Sequence, residues 1–578
     1  MITLEINSKA IEVEEGTTVL EAAKKMNIKI PTLCHMDLHD IRFMNKHASC
    51  RVCLVEQEDS GKLIPACATF VKDGMKIKTE TARAVKARRT MVELLLSDHP
   101  NSCLTCARNL DCELQKLASD LGVRSIKYQG EQSTYEIDDN SHSIVRDANK
   151  CILCKRCETM CNEIQTVGAL TDVGRGFNTY VGSAFNDAMY ETTCTFCGQC
   201  LAVCPTGALT EVNNTPQVWD VLHSDKTVIV QVAPAVRVAL GEEFGMEPGT
   251  IVTGKMINAL KYLGFDKVFD TNFAADLTIM EEASEFVHRL NNGGKLPILT
   301  SCCPSWVNFF EHQFTDFLDI PSTCKSPHEM FGAIAKSYLA QKLNIDPKDM
   351  ALVSVMPCVA KKYEAARPEL GNQGTKDVDY VITTRELAHM IKEAGINFGE
   401  LGDDAEFDNP MGASSGAGVI FGATGGVIEA TVRTAYEWIT GNELPKLEFE
   451  ELRGLEGIKQ TTVDIDGRPI RIAVANGLGN TRRLLNMIRD NEAHFDAIEV
   501  MACPGGCVGG AGQPYHKGNL DVIRKRAQGI YKADRDNKIR KSHENPMIIQ
   551  LYKEFLGEPY SEKAHELLHT TYTARPRM

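Results

Sequence analysis

At 578 residues the chain is too long for a single hydrophobic core, so three or four domains are expected. It is 43% hydrophobic and 24% charged, as soluble globular proteins are, and its formal net charge of −14 argues against a general nucleic-acid binder and gives no hint of a membrane surface. No apolar run approaches bilayer-spanning length, and the N-terminus MITLEINSKAIEVEEG lacks the basic start and apolar stretch of a secretion signal.

Fifteen of the 21 cysteines fall before residue 205, in three separate ligand-like patterns. They come as C-x2-C clusters, not at the scattered spacing of secreted disulfide frameworks, so a reducing cytoplasm is the simplest compartment. Thiolates at this density suit a soft metal site, and the spacings favour iron–sulfur over zinc.

The first module spans 1–78. MITLEI and KAIEVEEG read as a hairpin, and TTVLEAAKKMNI as a helix capped by Thr17 or Thr18. Cys34, Cys50, Cys53 and Cys67 follow as C-x15-C-x2-C-x13-C. Zinc sites usually bring two C-x2-C pairs, and only one is present here. The pattern resembles the plant-type [2Fe–2S] ferredoxin fold. Its long first gap is closer to the N-terminal part of the large iron–sulfur subunit of respiratory complex I.

The second module spans 79–125. TARAVKARRTMVELLLSDHP reads as a helix whose apolar Val85, Met91, Val92, Leu95 and Leu96 suit burial of one face. His99, Cys103, Cys106 and Cys112 follow as H-x3-C-x2-C-x5-C. A lone histidine at a helix end is usually a cap or a surface residue. Three cysteines leave a cubane one ligand short, however, and the complex I protein uses the same set of one histidine and three cysteines.

The third module, 126–210, carries C-x2-C-x2-C-x3-C twice: Cys151, Cys154, Cys157, Cys161 and Cys194, Cys197, Cys200, Cys204. This is the two-cluster bacterial ferredoxin pattern, in which the fourth cysteine of each run serves the other cluster. One cubane would take Cys151, Cys154, Cys157 and Cys204, and the other Cys194, Cys197, Cys200 and Cys161. Asn162 stands where the usual proline would follow Cys161.

From 211 to 578 the texture changes. Apolar runs such as TVIVQVAP, PILTSC, MALVSVMPC, RIAVANGL and IEVMACP alternate with helical stretches, the signature of buried, mostly parallel strands. Several runs lead straight into a motif: TSCCPSW at 300–306, MPCVAKK at 356–362, and MACPGGCVGGAGQP at 501–514. Glycines there let backbone approach a bulky cluster, and four cysteines from three strand ends can hold a buried cubane.

These three motifs resemble the signatures of iron-iron hydrogenases, and the order of the accessory modules resembles that of the large modular enzymes. The resemblance implies a multidomain α+β and α/β protein: a β-grasp [2Fe–2S] domain, a small helical histidine-ligated [4Fe–4S] domain, a two-cluster ferredoxin-like domain and an α/β H-cluster domain with parallel sheets. It implies that Cys303, Cys358, Cys503 and Cys507 bind the [4Fe–4S] part of an H-cluster. Its di-iron part would carry CO, cyanide and a dithiolate. Lys361 would face a cyanide; Met356, Met501, Pro234, Ala235 and Pro327 would line the same pocket. Ala235 stands where some relatives carry serine, so one hydrogen bond to cyanide is expected to be missing.

The same resemblance implies a proton relay. Cys302 is surplus to the four ligands, and a thiol, whose pKa its environment can tune, is expected to relay protons near neutrality. Glu282, Glu285 and Arg289 are spaced i, i+3, i+7 on one helical face. In isolation this is a solvated stripe; in the family it is a relay through Glu282, Ser322 and Glu285 towards Arg289. Cys324 alone has no role. The expected activity is reversible interconversion of H2 with protons and electrons, delivered through one [2Fe–2S] and three further [4Fe–4S] clusters. The expected partners are flavin and iron–sulfur subunits of an NAD(P)-linked electron-bifurcating complex, with ferredoxin. A stand-alone ferredoxin hydrogenase is the alternative. Hydrogenase-like assembly proteins and hydrogen sensors are the other classes, and the tail from about 538 reads as a helical wrap and not a signalling module.

Overall fold

The computed structural model describes residues 1–45, 48–372 and 374–575. Strands β1 (Ile2–Ile6) and β2 (Lys9–Val13) form the expected hairpin, with Ile2 opposite Val13. Helix α1 (Val19–Lys25) begins at Thr18, not Thr17: the Thr18 hydroxyl accepts from the Glu21 N–H, and the Glu21 carboxylate accepts from the Thr18 N–H. Strands β3 (Leu54–Gln57), β4 (Lys62–Pro65) and β5 (Lys76–Lys78) complete a five-stranded sheet of order β2-β1-β5-β3-β4, with β1 and β5 parallel. A mixed sheet with one helix packed on it is the β-grasp arrangement.

Helix α2 (Ala82–Ser97) departs from its expected single apolar face. Only Val92 of the five apolar residues is fully buried; Val85, Met91, Leu95 and Leu96 are half-buried. The helix is clasped between β3 and the helix at Glu113–Asp120, so it has two contact sides. Arg88 occupies a core-facing position on it and donates from Nε to the Leu54 carbonyl at 2.7 Å.

The internal repeat of the third module is reproduced in the backbone. Leu153 and Lys155 in one run, and Phe196 and Gly198 in the other, all take left-handed φ values. Each pair turns the C-x2-C-x2-C loop around what it encloses. Cys161 sits in a π-turn, Met160–Ile164, where Asn162 replaces the proline and donates to the Leu170 carbonyl at 3.0 Å.

Two four-stranded sheets frame the last region. Strands β6 (Thr227–Val232) and β7 (Lys267–Asp270) precede the long helix α3 (Thr271–Asn292), followed by β8 (Ile298–Leu299), β9 (Met350–Met356) and β10 (Tyr380–Thr383). Then come β11 (Ile458–Ile465), β12 (Arg468–Asn476) and β13 (Ala497–Met501). One sheet, β7-β6-β9-β10, is wholly parallel; the other, β8-β13-β12-β11, is parallel except for the β11–β12 hairpin. That hairpin turns at Asp466-Gly467, both with positive φ. The C-terminal ends of β6, β8, β9 and β13 lead into Pro234, Cys302, Cys358 and Cys503. All four motifs therefore leave strand ends, where open parallel sheets bind ligands.

Buried polar contacts join the modules. Asn45, fully buried, donates from Nδ2 to the carbonyls of Cys34 (2.6 Å) and Cys154 (2.8 Å), and its Oδ1 accepts from Thr159 at 2.6 Å. Arg156 pairs with both Glu113 oxygens and donates to the His35 carbonyl, touching three modules with one side chain. At Gly198, a Cβ would stand 2.4 Å from that of Ala511 and 2.6 Å from Val359 Cγ2, so any side chain would separate the third module from the last region. We expect Asn45→Leu to leave two carbonyls and a hydroxyl unsatisfied and to weaken docking of the first module by about 1–3 kcal/mol. Limited proteolysis should then release that module faster. Unchanged protease resistance would contradict the linking role given to Asn45.

Candidate functional site

A cavity of about 80 Å³ lies where the strand ends meet, and Cys302, Cys303, Cys358, Cys503 and Cys507 all line it. Pro234, Pro327, Met356, Met501 and Lys361 line it too. Ala235 does not; it is buried just behind, and its carbonyl accepts from Gln513 Nε2 at 2.9 Å. Cys303 precedes a helix that starts at Pro304. Cys507 enters through Gly505 and Gly506, both left-handed, and a Cβ on Gly506 would meet the Thr424 nitrogen at 2.6 Å.

Burial pushes up the thiols of Cys303, Cys358, Cys503 and Cys507, to about 12 for Cys507. Four neutral thiols facing one apolar space suit a soft cationic cluster, which takes the place of their protons. Lys361 Nζ donates to Glu364 Oε2 at 2.7 Å and to the Cys302 carbonyl at 3.1 Å. An ammonium has three donors, so one remains for an anionic ligand in the cavity. Glu364 and His328, which the sequence motifs did not single out, form the bed of this lysine: His328 Nδ1 is 2.9 Å from Glu364 Oε2. The available signal was Glu364 at i+3 from Lys361 on a short helix.

The expected relay residues are also brought together. Glu282 lies between Cys302, whose thiol its charge raises further, and Ser322. The Ser322 hydroxyl donates to Glu285 Oε2 at 2.8 Å, and Arg289 donates to Glu285 Oε1 at 2.5 Å. Cys302 differs from the expectation of a thiol tuned towards neutrality. Burial first, then Glu282 and the neighbouring thiols, push it well up, so it can hand on a proton only as a neutral S–H.

The upstream cysteines form a continuous series. Sγ atoms of Cys34 and Cys50 lie 3.4 Å apart, as do those of Cys53 and Cys67. His99 is buried, and its Nδ1 has no hydrogen-bond partner among the described residues, which suits a metal ligand beside Cys103, Cys106 and Cys112. Cys112 Sγ is 3.6 Å from the carbonyl of Pro205, next to Cys204. Cys204 lines one cavity with Cys151, Cys154 and Cys157, while Cys161 acts electrostatically on Cys194, Cys197 and Cys200, the crossed arrangement of the spacing argument. Cys303 in turn acts on Cys197, and Cys197 on Cys503. Two peripheral sites therefore converge on the Cys204 site, which leads through the Cys197 site to the terminal cavity.

Burial pushes Glu282 up to about 8, with Glu285 and Glu499 adding to the shift. Its folded value lies above the unfolded one, so the carboxyl is neutral at pH 7 and becomes a carboxylate as pH rises past 8; the cost in stability builds between the ordinary carboxylate range and pH 8, where only the unfolded chain has lost its proton, and is complete above it. A neutral carboxyl donates; a carboxylate accepts. Hydrogen evolution should therefore fall, and hydrogen oxidation rise, through a common midpoint near pH 8. Midpoints absent between pH 7 and 9 in both directions would contradict this role.

Five family descriptions match in chain order: a 2Fe-2S iron-sulfur cluster binding domain (1–82), the NADH-ubiquinone oxidoreductase-G iron-sulfur binding region (88–127) and the ferredoxin-like domain of NADH-quinone oxidoreductase subunit 3 (141–210). The C-terminal domain of the iron only hydrogenase large subunit (226–511) and the iron hydrogenase small subunit (520–575) follow. The tail read as a helical wrap thus has a family of its own. The chain is 56% identical to the NADP-reducing hydrogenase subunit HndD of Solidesulfovibrio fructosivorans, over 100% of both chains. It is 40% identical to iron hydrogenase 1 of Clostridium pasteurianum, over 99% of this chain and 100% of that one. A solved apo [FeFe]-hydrogenase HydA1 from Chlamydomonas reinhardtii covers 63% of this chain with 99% of its own, at 45% identity and a TM-score of 0.57. Among the described residues no helix is long and apolar enough to cross a membrane.

Proposed function

This chain belongs to the iron-only hydrogenase family, and on that premise we propose that it is the hydrogen-activating subunit of a multi-subunit, NADP-linked, electron-bifurcating complex. It is an oxidoreductase acting on H2, with 2Fe-2S and 4Fe-4S binding domains ahead of an H-cluster domain. The observation that carries the reading is the convergence of five cysteines, two methionines and Lys361 on one cavity.

In this reading Cys303, Cys358, Cys503 and Cys507 hold the cubane of the H-cluster. When bound, that cluster supplies the iron that cleaves H2 heterolytically. The protein's own part is to place and move charge. Lys361, anchored by Glu364, presents an ammonium donor to anionic ligands on the cluster. Cys302 takes the proton side: its thiol exchanges with Glu282, which exchanges through Ser322 with Glu285. Electrons leave through the Cys197 and Cys204 sites to the N-terminal modules. Proton and electron paths therefore diverge from one cavity.

Two features support an outside acceptor. No G-x-G-x-x-G fingerprint stands between a strand and a helix, and the glycine-rich stretch around 412–426 instead forms a buried helix, Gly416–Ile420, packed on the helix at Asp521–Asp536. Iron–sulfur clusters pass single electrons, whereas nicotinamides take hydride, so a flavin subunit is the expected converter. The relative at 56% identity is named as a subunit of an NADP-reducing enzyme, which supports the same partner class. The reducing compartment implied by the thiol clusters is the cytoplasm. We expect the purified, matured chain to reduce no NADP with H2 unless flavin-containing partner subunits are added. NADP reduction by the isolated chain would refute the reading. Brisk coupling to ferredoxin alone, from a native preparation that stays monomeric, would favour the stand-alone enzyme.

A further inference from the structure

Glu285 faces two groups on its outer side. The first is Arg289, which donates to Glu285 at 2.5 Å and also to the carbonyls of Ile320 (2.6 Å) and Pro321 (3.0 Å). A guanidinium stays protonated across the physiological range, so it neutralises Glu285 but cannot accept its proton. The second group comes from the C-terminal segment. Residues 323–325 are bridged by 568–570: Lys325 N–H donates to the Leu568 carbonyl at 2.8 Å and Thr570 N–H to the Thr323 carbonyl at 2.7 Å.

This pairing sets His569 Nδ1 2.7 Å from Thr323 Oγ1, which is 3.5 Å from Glu285 Oε2. The other ring nitrogen, Nε2, is 3.1 Å from Oε2 of the fully buried Glu281. Glu281 is held by the hydroxyl of Tyr552 and the N–H of Tyr560. His565, half-exposed, stacks on His569 with ring centroids 4.1 Å apart, and Tyr560 packs edge-on against both rings.

We propose that His569 relays protons between Glu285 and solvent, with the Thr323 hydroxyl as the link and His565 as the outer station. The inference rests on the Cys302–Glu282–Ser322–Glu285 relay described above. In the outward direction Glu285 gives its proton to Thr323 Oγ1 while Thr323 gives its own to His569 Nδ1. The imidazolium, stabilised by Glu281, then sheds one proton to His565 as that ring rotates. One proton moves out and no electron is transferred.

An imidazole titrates near neutral pH, which a relay at Glu285 needs and Arg289 lacks. The charged or titratable groups facing His569 are Glu281 and Glu285 from α3, Cys324 from the bridged loop, and Tyr552, Tyr560 and His565 from the C-terminal segment. Glu285, Cys324 and His569 also place ligand atoms within 4.8 Å of one another. The Glu285 oxygens and both His569 nitrogens already have protein partners, however, so proton transfer fits this cluster better than a cation does.

The test uses the full, matured chain. His569→Gln keeps an acceptor for Thr323 and a donor for Glu281 but cannot titrate. Iron content and the infrared bands of the loaded cluster should match the wild type. Turnover should fall on the order of 100-fold, and the pH profile should change shape. Added imidazole should restore the rate of His569→Ala. Wild-type rates and pH profile in His569→Gln would overturn the proposal. Should that variant lose iron, Thr323→Val cuts the same link: equal slowing supports the proposal, and wild-type turnover overturns it. Glu285→Gln run alongside separates the two levels. A fast Glu285→Gln would sink the relay reading itself, whereas a slow Glu285→Gln with a fast His569→Gln sinks only the branch.

Discussion

Buried thiols are the constraint on which the rest of this structure depends. Protonated sulfur is a weak hydrogen-bonding group, and burial first, then the neighbouring sulfurs, raise the thiols of Cys154, Cys157, Cys194, Cys200, Cys358 and Cys503 far from ionisation. The first two modules are small: the first has a compact apolar core that includes Cys53 and Cys67, and Val92, Leu114 and Leu117 of the second pack in one cluster with Cys34, Cys50 and Cys154. The cysteines occupy positions that a larger domain would give to leucine or valine. In such modules metal binding is folding free energy, so the clusters are structural cement as well as conductors.

The same constraint explains the polar contacts between modules. A wire works only if its stations keep their separation, and small domains joined by apolar patches alone would slide. Asn45 fixes the Cys34 loop against the Cys154 loop through their carbonyls. Arg156 ties three modules with paired charges. Gly198 permits the ferredoxin-like loop to press against Ala511 and Val359, within the shell of the terminal cavity. Helix α3, whose Thr271 and Ala275 line that cavity, carries Glu281, Glu282, Glu285 and Arg289.

The ligand spacing was fully legible in the sequence, because iron–sulfur loops are local: C-x2-C-x2-C-x3-C dictates the turn at Leu153 and Phe196 wherever the module sits. The parallel strands were legible for the same reason, as short continuous apolar runs ending in a motif. What the sequence hid was long-range. The Asp466-Gly467 hairpin carried its own turn signal, yet it was overshadowed by the buried run that follows. The two-sided burial of α2 follows from a neighbouring helix that no periodicity announces. Cys324 and His569 lie 245 positions apart and meet only because the tail pairs with the 323–325 segment. The tuning of Cys302 was misjudged because thiol acidity depends on burial, which a sequence motif does not report.

The central claim is that Cys303, Cys358, Cys503 and Cys507 hold the cluster while their neighbour Cys302 serves protons. Infrared spectroscopy with iron analysis on matured Cys302→Ala and Cys503→Ala chains tests it most directly. The account predicts that Cys302→Ala keeps the CO and cyanide bands and about 20 iron atoms, whereas Cys503→Ala loses both the bands and the irons of that site. Loss of the bands in Cys302→Ala, or their retention in Cys503→Ala, would contradict it.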